Sequence, residues 1–157
     1  MQTILWVLGK TNDDALESMI DLYKKRIQKY HRFEIETIPD IKNRGKIGQS
    51  LQKEKEGELI NAKLKQGDYL ILLDENGKQM DSLTFSNYIE SKRMGSYKRL
   101  IFVIGGAYGF SDFVQQKSKE KIALSKMTFS HQMVRLFFVE QLYRANTILN
   151  NEPYHHQ

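Results

Sequence analysis

The residues of this chain best suited to chemistry fall in three clusters, all in its second half. The first is Gly105, Gly106 and Gly109 in "FVIGGAYGF", residues 102–110. Glycines that follow an apolar run can cradle a phosphate, admit another ligand close to the backbone, or serve a turn that requires positive φ. A dinucleotide fingerprint needs G-x-G-x-x-G on the first strand–helix turn, with an acidic residue about 20 positions on, and a Walker loop ends in Gly-Lys-Ser/Thr. Neither pattern fits, so the phosphate cradle is rejected. The second cluster lies on "HQMVRLFFVEQLYRANTIL", where Glu140 and Arg144 stand four apart and can pair across one helical turn. His131 and Arg135 share that spacing and suit a structural role or a phosphate contact. Ser130 directly precedes His131, and neighbours do not face each other on a helix; Ser130 reads as a helix N-cap. The third cluster is the tail "NEPYHHQ", with Tyr154, His155 and His156. Either it is a disordered end or it folds over a site and brings a hydroxyl and an imidazole that titrates near neutrality. No carboxylate or cysteine stands at a ligand spacing from the two histidines, so no metal is expected.

These clusters need a scaffold. "TILWVLG" (3–9) is rich in strand formers, and "TNDD" then offers helix caps. Ala15, Leu16, Met19, Ile20, Leu22, Tyr23 and Ile27 recur at helical spacing. "FEIETI" (33–38) alternates as a half-buried or edge strand should. Residues 40–50 read as a basic, glycine-containing loop. A polar helix runs from Leu51 to Leu64, with Leu51, Leu59, Ile60 and Leu64 as its apolar positions. Gly57 lowers its helix propensity by about 1 kcal/mol relative to alanine. "DYLILLD" (68–74) and "RLIFVIGG" (99–106) are continuous apolar runs, typical of strands buried on both faces of a parallel sheet. "ENGK" (75–78) reads as a turn. Asp81 or Ser82 caps a helix to about Met94, with Leu83, Phe85, Tyr88 and Ile89 inward. A short helix after Ser111, a strand near 121–125 and a long helix from about His131 to Leu149 complete the chain.

The alternation β-α-β-α-β-α-β-α-β-α implies an α/β domain with a mostly parallel sheet and helices on both faces. Ligands of such sheets sit beyond the carboxyl ends of the strands. Functional residues should therefore gather after Leu73, Ile104 and Leu124. The last helix is apolar almost all round (Met133, Val134, Leu136, Phe137, Phe138, Val139, Leu142, Ile148). A sheet covers one helix face, so the other is expected to meet a second copy in an isologous homodimer.

Composition narrows the class. The 157 residues suffice for one domain with a real core. A net charge of +5 favours an anionic partner, nucleic acid first. The absence of cysteine excludes disulfides and thiolate chemistry. No apolar run approaches the roughly 20 residues of a membrane span, and "MQTILWVLGK" lacks a basic leader region. A cytoplasmic location is expected, with no membrane partner.

The stretches "LWVLGK", "KEGE" (55–58), "LLDENGK", "FVIGGAYGF", "LSKMTFSHQMVRLFFVEQLYRA" and "PYHH" together resemble the bacterial ribosomal large-subunit pseudouridine methyltransferase family, across essentially the whole chain. The resemblance implies a SPOUT fold: one domain over residues 1–157, a parallel sheet with a C-terminal trefoil knot, and a homodimer. It implies methyl transfer from S-adenosylmethionine to N3 of a pseudouridine in 23S rRNA, within the assembled 70S ribosome. It assigns the cofactor contacts to Leu73, Gly105, Leu124, Ser125, Lys126, Met127, Thr128 and Phe129, so that "GGAYG" becomes one of three cofactor loops. One position departs: the family's "TFPHQ" is "TFSHQ" here, and Ser130 is expected to alter loop stiffness slightly without loss of activity.

A sulfonium methyl donor needs mainly alignment with the ring nitrogen, and the N3 proton needs an acceptor or a cation to stabilise the anion. Arg144 suits the anion; Tyr154 and His155 suit the neighbourhood of the base, reaching a partner's cofactor. The basic segment from Lys42 to Lys55 suits rRNA phosphate. Two other readings stay open: a non-catalytic ribosome- or RNA-binding module with a vestigial pocket, and a flavodoxin-like nucleotide binder.

Overall fold

The computed structural model describes residues 1–42 and 46–156. The element order is β1(Gln2–Leu8), α1(Asp14–Ile27), β2(Phe33–Ile38), α2(Gln49–Lys63), β3(Asp68–Gln79), α3(Ser82–Arg93), β4(Arg99–Ile104), α4(Asp112–Lys117), β5(Glu120–Ala123) and α5(Met133–Leu149). All pairings are parallel, and the sheet order is β2-β1-β4-β3-β5. The α/β reading therefore holds, with the alternating β2 on an edge and the apolar β1, β3 and β4 inside. The basic segment 42–55 lies in part, at 43–45, outside the described residues.

Side chains alternate across each strand, so the strands feed two cores. Leu5, Val7, Ile71, Phe102 and Ile104 face α1, α3 and α5 through Ile20, Phe85, Phe138 and Leu142. Ile4, Trp6, Leu70, Leu72, Ile101 and Val103 face α2 and α4 through Ile60 and Val114. Asp13 and Asp81 cap α1 and α3 by accepting from the amides of Leu16 and Thr84. Ser130 accepts from the amide of Met133, but α5 begins at Met133 with Gln132, not Ser130, in the capping position.

Three expectations are corrected. "ENGK" is not a turn: β3 runs through it, and its pairing with β5 shifts register between Leu73 and Lys78. The strands approach so closely there that a Cβ on Gly77 would lie 2.6 Å from backbone atoms of Ile122. In α2 the buried face is Gln52, Glu56, Gly57 and Ile60, while Leu51 is exposed. The helix is rotated to bring two polar side chains inward. Finally, α5 is covered by more than the sheet, because α1 and α3 pack along its flanks. Phe138, Val139 and Leu142 are buried, and Val134, Leu136 and Ile148 are half-buried. Only Met133 and Phe137 of its apolar set stay exposed, as do Met19 and Leu22 of α1.

The segment after β5 travels back to the far side of β4 and ends against β1. Gln132 donates to the Lys10 carbonyl and accepts from the Asn12 amide. Arg135, 1 % exposed, donates to the carbonyls of Leu8, Gly9 and His131 and to the Thr11 hydroxyl. Of the two roles open to Arg135, this is the structural one: a buried guanidinium spent on backbone carbonyls is closed to RNA phosphate.

Candidate functional site

The carboxyl ends of β3, β4 and β5 open into a cavity of about 490 Å³, within the usual range for small-molecule sites. Its walls come from three places. Leu73 and Asp74–Asn76 line it from the bulged middle of β3, Gly105–Phe110 from the loop after β4, and Leu124, Ser125, Met127, Thr128, Phe129 and His131 from the segment between β5 and α5. The three zones anticipated after Leu73, Ile104 and Leu124 thus converge on one site.

The glycine loop is a tight backbone structure. Gly109 has φ +74° and its amide donates to the Gly106 carbonyl at 3.1 Å, a conformation that costs glycine little. Gly105 is backed by the Phe110 ring, 3.1 Å from where a Cβ would stand. Opposite, the Ser125 hydroxyl accepts from the Met127 amide, Thr128 donates to Glu75 at 2.8 Å, and Phe129 packs on Phe137. Arg135 and Gln132 then anchor the end of this segment to β1. The charged lining is Asp74, Glu75 and Lys53. Two carboxylates against one ammonium disfavour a phosphate and suit a cationic ligand, in keeping with the rejection of a phosphate cradle.

Of the sequence-nominated cofactor residues, Leu73, Gly105, Leu124, Ser125, Met127, Thr128 and Phe129 all line this cavity. Lys126 lies within the same segment but is not part of the wall. His131, read as structural or as a phosphate contact, does line it.

Arg144, Tyr154 and His155 come together elsewhere. Tyr154 packs edge-on against Tyr143, and its hydroxyl lies 3.2 Å from that of Tyr23. The tail therefore folds onto α5 and α1, which resolves the choice between a disordered end and a folded one. The residue that organises the cluster is Glu140. Its Oε1 accepts from Arg144 Nε at 3.1 Å, Arg144 Nη2 at 2.5 Å and the Tyr154 hydroxyl at 3.1 Å. Arg144 Nη1 stands 3.4 Å from His155 Nδ1, and its guanidinium lies over the Tyr154 ring. The buried Nε2 of His155 has no hydrogen-bond partner among the described residues. Burial, with help from Tyr23 and Glu140, pushes the Tyr154 phenol well above its ordinary value. Sequence reasoning saw Glu140 only as half of a routine helix pair, because its third partner arrives from the folded-back tail.

Arg144 follows the cavity-lining Val134 by ten residues of one helix, or about 15 Å along its axis. One chain therefore keeps cavity and tail cluster apart. Among the described residues, no group of three or more His, Cys, Asp or Glu is placed to hold a metal ion, and no helix is long and apolar enough to cross a membrane.

The fold and site define an α/β protein with a backbone-walled small-molecule cleft at the carboxyl edge of a parallel sheet. A family model described as "Predicted SPOUT methyltransferase" matches residues 1–155, and the chain belongs to that family. It is 57% identical over 157 residues, covering 100% of both chains, to the "Ribosomal RNA large subunit methyltransferase H" of Parabacteroides distasonis. It is 56% identical over the same span to the protein of that name from Flavobacterium johnsoniae. Among solved structures, a Legionella pneumophila chain described as a methyltransferase with bound cofactor SAM matches with a TM-score of 0.50 at 12% identity. That match covers 92% of this chain and 66% of the other, and bears on the fold.

Proposed function

We propose that this chain, a single domain over residues 1–157, transfers the methyl group of S-adenosylmethionine to N3 of a pseudouridine in 23S rRNA, on the assembled 70S ribosome in the cytoplasm. The observation that carries the reading is the convergence of Leu73, Gly105, Leu124, Ser125, Met127, Thr128 and Phe129 on one cleft, in a family of methyltransferases. Relatives named for large-subunit rRNA methylation support the substrate class.

The cleft fits the cofactor chemically. Backbone groups of 105–109 and 124–129 can bond an adenine edge, Leu73, Leu124 and Phe129 can enclose its faces, and Asp74 and Glu75 suit a ligand bearing an ammonium and a sulfonium. S-adenosylmethionine supplies an electrophilic methyl on its sulfonium sulfur. The cleft's task is to aim that methyl at N3 and keep water from it. The new N–C bond forms as the S–C bond breaks, and the N3 proton must leave.

The groups suited to the resulting anion are in the tail cluster, about 15 Å away along α5 in the same chain. A homodimer packed through α1 and α5 supplies them from the second copy. The exposed Met19, Leu22, Met133 and Phe137 on those two helices support this packing. In this arrangement Arg144 faces the developing anion, held by Glu140. Tyr154, whose phenol is held protonated, donates a hydrogen bond rather than accepting the proton. His155, whose Nδ1 stands against Arg144, steadies that guanidinium, and the N3 proton leaves to water. The return of 124–132 from β5 to β1 supports a C-terminal knot. The basic stretch from Lys42 to Lys55 is proposed to touch rRNA.

The direct test uses methyl-labelled S-adenosylmethionine and 70S ribosomes from a strain lacking this enzyme, with the label located by mass spectrometry. Label on N3 of a large-subunit pseudouridine is expected. Label on another base, or none despite cofactor binding, would overturn the assignment of substrate.

A further inference from the structure

The "KEGE" stretch sits outside the cleft, yet the structure gives its centre a specific neighbour. Gln52 and Glu56 are 1 % and 5 % exposed on the inner face of α2, unusual burial for such residues. Gln52 Nε2 donates to Glu56 Oε1 at 2.9 Å. Gln52 Oε1 is buried with no hydrogen-bond partner among the described residues, an arrangement that costs stability. The Glu56 carboxylate lies directly behind the glycine loop: a Cβ on Gly106 would stand 2.5 Å from its Oε2 and 2.9 Å from its Oε1. One residue on, a Cβ on Gly57 would meet the Ser111 hydroxyl at 2.3 Å, and Ser111 caps α4. Neither Gly57 nor Gly106 has positive φ. Both are glycine for space, because α2 lies flush on the loop between β4 and α4.

We propose that Glu56, oriented by Gln52, is a positioning residue for the cofactor loop: its carboxylate is the stop against which Gly106 rests. With the Phe110 ring behind Gly105, both consecutive glycines then have a rigid backing, and the loop's backbone groups stay aimed into the cleft without being ordered anew when a ligand arrives. The helix pays in propensity at Gly57 to obtain that close seat. The inference concerns the loop, and its consequence for S-adenosylmethionine rests on the function proposed above.

The experiment compares the full-length wild-type protein with Glu56→Ala, Glu56→Gln, Gly106→Ala and the double variant Glu56→Ala/Gly106→Ala. Hydrogen exchange over residues 105–110 reports the loop, calorimetric S-adenosylmethionine affinity reports its use, and Tm reports overall folding. Both alanine single variants should loosen the loop and weaken cofactor binding about tenfold. Glu56→Gln, which keeps the shape, should stay close to wild type. The double variant should regain most of the affinity, since the added methyl fills the space the carboxylate leaves. The proposal fails if Glu56→Ala lowers Tm but leaves loop exchange and affinity unchanged. It also fails if the double variant is worse than either single one. If the wild type does not bind S-adenosylmethionine, the functional reading falls, while loop exchange in Glu56→Ala still decides for or against the stop.

Discussion

The cleft and the tail cluster are built from opposite materials. The cleft draws on backbone and apolar side chains, three glycines with Leu73, Leu124 and Phe129, and carries Asp74, Glu75 and Lys53 as its charged lining. Its shape comes from strand ends and from anchors outside it, such as Arg135 on the carbonyls of Leu8 and Gly9. The tail cluster is made of long polar side chains that hold one another: Glu140 binds both Arg144 and Tyr154, and Arg144 stands against His155. A backbone wall suits an invariant cofactor that must be held in one pose. A side-chain cluster suits a group whose protons and charge must move. The separation of the two within one chain is what makes a second copy chemically necessary in the proposed reaction.

The comparison can be broken at several points. Arg144→Ala should cut turnover about 100-fold or more while leaving S-adenosylmethionine affinity unchanged. Gly105→Leu, which drives a side chain into the Phe110 ring, should abolish cofactor binding. Mixing the two variants should restore part of the activity, because one site of the heterodimer has an intact cleft and an intact tail. Failure of mixed dimers to recover any activity would show that each chain works alone. Arg135→Met should cost about 3 kcal/mol in urea unfolding, because it strips donors from buried carbonyls of β1. If cleft geometry depends on that anchor, cofactor affinity falls with it.

Gly77→Ala should cost about 2 kcal/mol, since the clash is with the backbone of Ile122 and no side chain can turn away. Its effect belongs to the cleft region alone, and hydrogen exchange in the tail at 150–156 should not change. The smallest expected effect concerns pH. Burial first, then the adjacent Arg93 guanidinium, lowers His31 from 6.5 to about 4. The unfolded chain then binds the extra proton between pH 6.5 and 4. Stability from this residue is full above that window and is lost as pH falls through it, by roughly 1–2 kcal/mol after discounting for its partial exposure. His31→Asn should flatten that part of the stability–pH curve, which denaturant titrations at several pH values will show. Arg93 also bonds Asn146 of α5, so the slope reports on the tail end of the molecule and not on the cleft.

Much of the fold was legible because apolar runs and their punctuation are local signals. The order of elements and the edge position of β2 followed from alternation and from caps such as Asp13 and Asp81. The cleft was legible to the same extent, since parallel sheets put ligands at their carboxyl ends. What failed depended on partners distant in sequence. "ENGK" has turn composition, but pairing with β5 keeps it extended. Leu51 fits an apolar stripe, yet α2 turns Gln52 and Glu56 inward to meet the glycine loop. Glu140 looked like one half of a routine helix pair until the tail placed Tyr154 on it.

By itself, then, the amino-acid order determined the α/β class, most of the elements and the strand ends after which a ligand would sit, because periodicity acts over a few residues; the individual cofactor residues came from the resemblance to a known family. Only the tertiary structure decided why a side chain at Gly57, Gly77 or Gly106 would crowd its neighbours, why Arg135 is buried and how the tail cluster assembles. Those depend on close approaches between segments far apart in the chain, and packing density, rather than local propensity, sets what can stand there.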